Sequence, residues 1–309
     1  MFPPEVGRFA PSPTGPLHLG SLVAAVGSYA LARRAGGRWL LRVEDLDTAR
    51  VVPGAAEDFF RTLEALGFGW DGEVVWQNRR TEAYREALER LEKLGAVYPC
   101  GCTRSEVARA ASALHPGEEG PAYPGTCRGG LPPGREVRAV RVRVTADPVA
   151  FSDAVFGPVR TCLADSCGDF VVRRADGFFA YQLAVVVDDA ASGVTQVVRG
   201  ADLLASTPRQ IRLQHLLGLP TPSYAHLPLV TGSGGGKLSK RDCAVSLALA
   251  GQDLAREGGA LVLAALRFLG QNPPPDLHRA PPREVLSWAA SCFDPSRIPR
   301  EGGPFPRDG

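Results

Sequence analysis

The chain has 309 residues, of which 44% are hydrophobic, and a formal net charge of +2. That is length for about two domains and apolar content for a sizeable core, while the charge neither demands nor excludes a nucleic-acid partner. No apolar run approaches the roughly 20 residues of a membrane span, and no basic segment followed by an apolar one opens the chain, so a cytoplasmic enzyme is expected. The seven cysteines are an odd number without a regular framework, which favours metal ligands or buried thiols over disulfides.

Val6 to Ala10 reads as a short buried strand ending at a Pro/Ser/Thr/Gly turn, and the Ala-rich run from His18 to Arg34, stopped by Gly36-Gly37, as a helix. Arg38 to Glu44 is a second strand. A helix from Ala56 to Leu66 puts Phe59, Leu63 and Leu66 on one face before Gly67. Thr81 to Gly95 is amphipathic, with a stripe of Tyr84, Leu88, Leu91 and Leu94 and supporting pairs Glu86/Arg90 and Glu89/Lys93. This alternation predicts a parallel α/β sheet. From Tyr98 to about Gly177 the rhythm is lost, Pro and Gly become frequent and cysteines cluster, which reads as an insertion. Within it, Val140 to Val144 alternates valine with Arg141 and Arg143, a half-buried strand whose basic face suits phosphate contact. Phe178 to Val187 reads as a fully buried strand resuming the main sheet. After Thr207 the chain is expected to be helical, with a frayed end from Glu301. The resulting division is 1–97, first half of the catalytic domain; 98–177, insertion; 178–225, second half; and 226–309, a helical region.

Two stretches carry anion chemistry. The turn Pro11-Ser12-Pro13-Thr14-Gly15-Pro16 feeds the helix that starts near His18, so free backbone N–H groups and the positive dipole end face an anion; Gly15 and Gly20 let backbone approach it and His18 can donate to a phosphoryl oxygen. Far along the chain, Lys237, Ser239 and Lys240 follow the run Gly232-Ser233-Gly234-Gly235-Gly236, a second cationic site on a loop. Either alone is weak; their co-occurrence in this order is specific.

Arg8 to Ser21 resembles the glutamyl/glutaminyl branch of class I aminoacyl-tRNA synthetases, with Ser21 where the His-x-Gly-His signature ends. Arg42-Val43-Glu44-Asp45-Leu46-Asp47 resembles that branch's Arg-x-Glu-Asp-x-Asp strand end, and Lys237-Leu238-Ser239-Lys240-Arg241 its mobile Lys-Met-Ser-Lys-Ser loop, with Leu238 for Met and Arg241 for Ser. The resemblance implies a Rossmann-type α/β sheet. It also implies ATP handling by His18, Gly20, Lys237, Ser239 and Lys240, of which His18, Lys237 and Lys240 stabilise the developing charge, with Mg2+. It further implies a glutamate site of Arg8, Phe9, Ala10, Pro11, Ser12, Glu44, Tyr181 and Arg199. The chemistry agrees: a dicarboxylate needs forked cationic donors and an ammonium needs an acid. Asp188 and Asp189 are candidates to hold water or a ribose.

Cys100-Gly101-Cys102, a long loop and Tyr123-Pro124-Gly125-Thr126-Cys127 place two nearby thiols and a distant third in a set that suits tetrahedral zinc. A phenolate fourth ligand is unusual, yet Cys100, Cys102, Tyr123 and Cys127 resemble the zinc site of the glutamyl-queuosine tRNA(Asp) synthetases. His115 is the orthodox alternative, and Cys162 and Cys167 are further candidates. One structural Zn2+ is expected, pinning a loop-rich insertion with little core of its own.

The short stretch after Arg241 gives the expectation that no separate anticodon-reading domain of ordinary size is present. With the zinc set, the resemblance implies a monomer that activates L-glutamate with ATP and attaches it to queuosine in the tRNA(Asp) anticodon stem-loop. A shortened glutamyl-tRNA synthetase charging tRNA(Glu), and a synthetase-like binding module without catalysis, are the alternatives.

Overall fold

The structure is a computed structural model that describes residues 5–111, 122–232 and 254–306. The first half follows the expected alternation: β1 (Val6–Phe9), α1 (Leu19–Arg34), β2 (Arg38–Val43), α2 (Ala55–Ala65), β3 (Val75–Trp76) and α3 (Thr81–Lys93). β1, β2 and β3 are parallel neighbours, with Val6 opposite Arg38 and Arg42 opposite Val75. There follow β4 (Val97–Cys100), α4 (Arg104–Ala111), β5 (Ala139–Val142), β6 (Val149–Asp153), β7 (Gly157–Thr161), α5 (Leu163–Ser166) and β8 (Val171–Arg173). The chain then forms α6 (Tyr181–Ala191), β9 (Gln196–Gly200), α7 (Thr207–Leu217), β10 (Ser223–Leu227), β11 (Val230–Thr231), two helices over Leu254–Phe268 and Pro282–Cys292, and β12 (Gly303–Pro304).

β9 and β10 are parallel, and β9 lies alongside β1, where Thr195 exchanges two 2.9 Å bonds with Val6. The sheet thereby crosses from the first half of the sequence to the second through a β1/β9 seam. The core on one face is built on α1, with Leu22, Val23 and Val26 packed with Trp39, Leu41, Phe59 and Leu63, and with Val262, Leu266, Val285 and Leu286 of the last two helices. Trp39 is fully buried, stacks on Phe9 and gives its indole N–H to Ser28 Oγ at 3.0 Å. Burying such side chains stabilises by roughly 1.5–3 kcal/mol each. A second cluster joins Leu88 and Leu91 of α3 to Leu183 and Val186 of α6, Leu213 of α7 and Val142 and Val172. Among the described residues no helix is long and apolar enough to cross a membrane.

Three expectations change. Phe178 to Val187 is not a strand: Tyr181–Ala191 is helical, and its apolar run is buried because α3 and α7 flank it. A short apolar run has no periodicity that separates a buried strand from a buried helix. The stretch after Thr207 is not all helix, since β10, bracketed by Pro220, Pro222 and Pro228, enters the sheet. Finally, 98–177 serves two sheets. β4, β5 and β8 form one, whereas the β6–β7 hairpin adds to β10 through Asp153, opposite Tyr224.

Candidate active site and thiol cluster

Arg8 aligns with Leu40 of β2, so Arg42, two residues further on, leaves the sheet on the same face. α6 covers that face and its Asp189 receives both guanidinium groups, Arg8 Nε at 3.3 Å and Arg42 through Nη1; Arg42 Nη2 also donates to Glu44 Oε1 at 3.0 Å. Arg8, Arg42 and Asp189 are all buried. Burial opposes ionisation of Asp189, but Arg42 and Arg8 outweigh it and hold its pKa below the usual range. Glu44 goes the other way: burial raises its pKa, and Arg42 and Arg8 offset this only in part. Asp188, fully buried, accepts from Gln77 Nε2 and Tyr84 Oη, both at 2.8 Å, and from Arg80 Nε. These internal partners correct the expectation that the Asp188-Asp189 pair holds a ribose or water. The pair instead binds α6 to β1, β2 and α3.

Arg199 enters from β9. Its Nη1 lies 3.4 Å from Tyr181 Oη, its Nη2 donates to Thr207 Oγ1 at 2.8 Å, and its Nε donates to His226 Nε2 at 3.1 Å. Arg199 is 5% exposed, yet among the described residues no carboxylate pairs with it. A buried guanidinium held by neutral groups keeps its full charge for an incoming anion. Burial raises the Tyr181 pKa, as does the field of Glu44, while Arg199, Arg8 and Arg42 pull it down. Of the other expected pocket residues, Ala10 and Pro11 are half-buried and Ser12 is exposed. Phe9 turns its ring into the core against Trp39, which leaves only its backbone for the pocket.

Directly after β1, at the end that carries Arg8, the turn delivers α1 with His18 as its N-cap, Nδ1 accepting from Ser21 N–H at 3.2 Å. An accepting Nδ1 carries no proton, so the neutral ring holds its proton on the exposed Nε2, aimed away from the helix. Loss of solvation lowers the His18 pKa and Asp202 pulls it up, leaving the neutral form favoured. Gly20 has a packing reason as well, since a β-carbon there would meet the His18 ring at 3.1 Å. Lys237, Ser239 and Lys240 lie outside the described residues.

The thiols of Cys100, Cys102 and Cys127 converge within 4.8 Å of one another. Tyr123 Oη sits among them, 3.4 Å from Cys100 Sγ and 3.7 Å from Cys102 Sγ, and accepts from Cys127 N–H at 2.9 Å. Three soft donors and one oxygen around a common point fit a tetrahedral Zn2+. Burial raises the Cys100 pKa most, but bonds from Tyr123, the Cys102 N–H and Arg141 outweigh it and bring the thiol down to about 7, towards the thiolate a metal needs. Cys167 bonds its thiol to Leu163 O and Gly168 O, and Cys162 to Ala146 O, so neither joins the cluster. His115 lies outside the described residues.

Arg141 and Arg143 do not form a free basic face. Arg141 lies 3.7 Å over the Tyr123 ring and donates to Cys100 Sγ at 3.3 Å and to Asp169 O at 2.8 Å, and Arg143 lies 4.5 Å over the Tyr98 ring. Valine alternation turns this face of β5 outward, where the half-buried Arg141 and Arg143 spread over the buried Tyr123 and Tyr98 rings. Arg42, Asp153 and His226 were not singled out as site residues. Arg42 lay within a recognised motif; a lone histidine in an apolar strand carries no signal in sequence.

A family model described as tRNA synthetases class I (E and Q), catalytic domain, matches residues 6–274. A protein of Geobacter sulfurreducens (strain ATCC 51573 / DSM 12127 / PCA) named glutamyl-Q tRNA(Asp) synthetase is 67% identical over 303 residues, covering 98% of this chain and 96% of its own. One of the same name from Aromatoleum aromaticum (strain DSM 19018 / LMG 30748 / EbN1) is 57% identical over 299 residues, covering 97% and 92%. Among solved structures, the glutamate-tRNA synthetase of Elizabethkingia anophelis superposes with a TM-score of 0.81 at 25% identity, over 99% of this chain and 68% of that one. The chain therefore belongs to the class I tRNA synthetases of the glutamate and glutamine branch, and within them to the glutamyl-Q tRNA(Asp) synthetases, a family of ligases.

Proposed function

We propose that this ligase activates L-glutamate with ATP to give glutamyl-adenylate and pyrophosphate, then transfers the glutamyl group to queuosine in the tRNA(Asp) anticodon stem-loop. The observation that carries the glutamate site is the buried Arg199 without a carboxylate partner among the described residues, facing Tyr181 and following Val198, whose carbonyl oxygen lies 3.4 Å from Arg8 Nη1. Arg199 and Arg8 receive the substrate carboxylates, and Glu44 receives the ammonium. An ammonium beside Glu44 would offset the burial that raises its pKa and favour the charged carboxylate.

In activation, an α-carboxylate oxygen of glutamate bonds to the ATP α-phosphorus as the bond to pyrophosphate breaks. No protein nucleophile is needed, so catalysis is alignment plus stabilisation of phosphate charge. The His18 Nε2–H, the N-terminus of α1 and, outside the described residues, Lys237 and Lys240 supply it, with Ser239 and Gly20 shaping the nucleotide site. Mg2+, which class I synthetases use, would neutralise charge on the leaving phosphates. In transfer, a hydroxyl of the queuosine cyclopentene-diol attacks the adenylate carbonyl and AMP departs. Cys100, Cys102, Cys127 and Tyr123 would hold a Zn2+ whose part is structural, fixing the β4–β5–β8 sheet. The division at 97, 177 and 225 is kept as a functional one, with the span 98–177 bearing this metal. The enzyme is taken as a cytoplasmic monomer.

The test is transfer of labelled glutamate, with ATP, to tRNA(Asp) carrying queuosine, to tRNA(Asp) carrying guanine at that position, and to tRNA(Glu). Labelling of the queuosine form alone, retained on tRNA(Asp) from which the 3′-terminal adenosine has been removed, is the expected result. Labelling of tRNA(Glu) would overturn the queuosine assignment in favour of acceptor-end charging.

A further inference from the structure

His226 of β10 stands directly opposite Arg199 of β9 in the parallel register, so both side chains leave the sheet on the same face. Arg199 Nε can only donate, so His226 Nε2, at 3.1 Å, is the accepting, unprotonated nitrogen. The ring proton is then on Nδ1, which donates to Asp153 Oδ2 at 2.7 Å. Asp153, at the end of β6, is fixed in turn. Its Oδ1 accepts the backbone N–H groups of Val155 and Phe156, both at 2.9 Å. The His226 and Asp153 side chains are fully buried.

We propose that Asp153 and His226 are positioning residues that aim Arg199 at the substrate carboxylate while leaving its charge uncancelled. The proposal rests on the reading of Arg199 as a glutamate-binding residue. A carboxylate at position 226 would hold the guanidinium equally well but would neutralise it, and the pocket would lose its attraction for a second carboxylate. A neutral imidazole orients without neutralising. Asp153 fixes the tautomer: were the proton on Nε2, it would point at the Arg199 Nε–H and push the fork out of line. The β6–β7 hairpin, which the sequence places in the insertion, thus reaches the amino-acid pocket through two hydrogen bonds.

ATP–pyrophosphate exchange at varied glutamate and varied ATP separates the outcomes. His226→Asn keeps a donor towards Asp153 and removes the acceptor facing Arg199. Its KM for glutamate should rise about ten- to a hundredfold with KM for ATP nearly unchanged, the loss expected for a hydrogen bond to a charged group. His226→Gln, which restores an oxygen acceptor where Nε2 stood, should return glutamate KM to within about threefold of the parent. Asp153→Asn, which keeps the size but frees the tautomer, should also raise glutamate KM selectively, and serves if His226→Asn fails to fold. Arg199→Lys is the control. If it leaves glutamate KM unchanged, the pocket reading itself fails. If it raises glutamate KM while neither His226→Asn nor Asp153→Asn does, the positioning proposal alone is overturned. Equal rises for glutamate and ATP in the folded variants overturn it too, since they mark a general structural role.

Discussion

Gly168 lies so close to Tyr123 that a β-carbon on it would stand 2.2 Å from the Tyr123 carbonyl oxygen, and its φ of +64° is one that L side chains rarely adopt. The two residues form an isolated bridge, and Tyr123 N–H bonds to Cys167 O at 3.0 Å. The backbone that aims the Tyr123 hydroxyl at three thiols is therefore set from behind by a glycine distant from it in sequence. Gly168→Ala should cost about 2 kcal/mol or more, from the left-handed backbone and the clash together, and should lower zinc content per chain. Thermal unfolding with metal analysis checks this; full zinc and an unshifted midpoint would show that Tyr123 does not depend on Gly168.

His18 serves as helix cap and, in the proposed function, as phosphate donor, and the two uses are separable. His18→Asn keeps a short acceptor for the Ser21 N–H but loses the Nε2–H, so it should unfold within about 0.5 kcal/mol of the parent while ATP–pyrophosphate exchange falls about ten- to a hundredfold. His18→Ala should lose the cap as well, at about 1 kcal/mol. Undiminished exchange in His18→Asn would remove His18 from the phosphate site.

Arg42 bridges Asp189 and Glu44 in the interior. Arg42→Met leaves both carboxylates buried with one fewer cation and should destabilise by about 3–5 kcal/mol. Arg42→Met/Asp189→Asn, which removes the stranded Asp189 charge too, should recover part of that loss. Chemical denaturation of the single and double variants gives the comparison; additive losses would mean that the pair is not coupled.

Burial lowers the His226 pKa most, with Arg199 acting in the same sense and Asp153 opposing. The folded ring therefore binds a proton less readily than the unfolded one. Its contribution to stability is present above the ordinary histidine value of about 6.5 and is lost as pH falls below it, because the unfolded chain then takes up more protons. His18 contributes in the same sense and Glu44, with its raised pKa, in the opposite one, so the difference between parent and His226→Asn isolates the ring. Between pH 7 and 5 the parent should lose stability more steeply than His226→Asn. Parallel curves would show that His226 titrates normally.

The sequence by itself determined the alternation of β1, α1, β2, α2 and α3, because their stripes and Gly stops act locally, over one or two turns. The family resemblance, carried by local motifs, also supplied the expectation that Cys100, Cys102, Tyr123 and Cys127 form one set, and the structure brings these four together. Only the tertiary structure decided the rest. Whether Phe178 to Val187 is strand or helix depends on the flanking α3 and α7, because burial on all sides erases periodicity. Whether Arg141 faces solvent depends on Tyr123, brought to it by a loop closure that no local pattern records. Likewise Asp189 meets Arg8 and Arg42, and His226 with Asp153 meets Arg199, only through α6 packing and parallel register, across separations over which sequence spacing carries no geometric information.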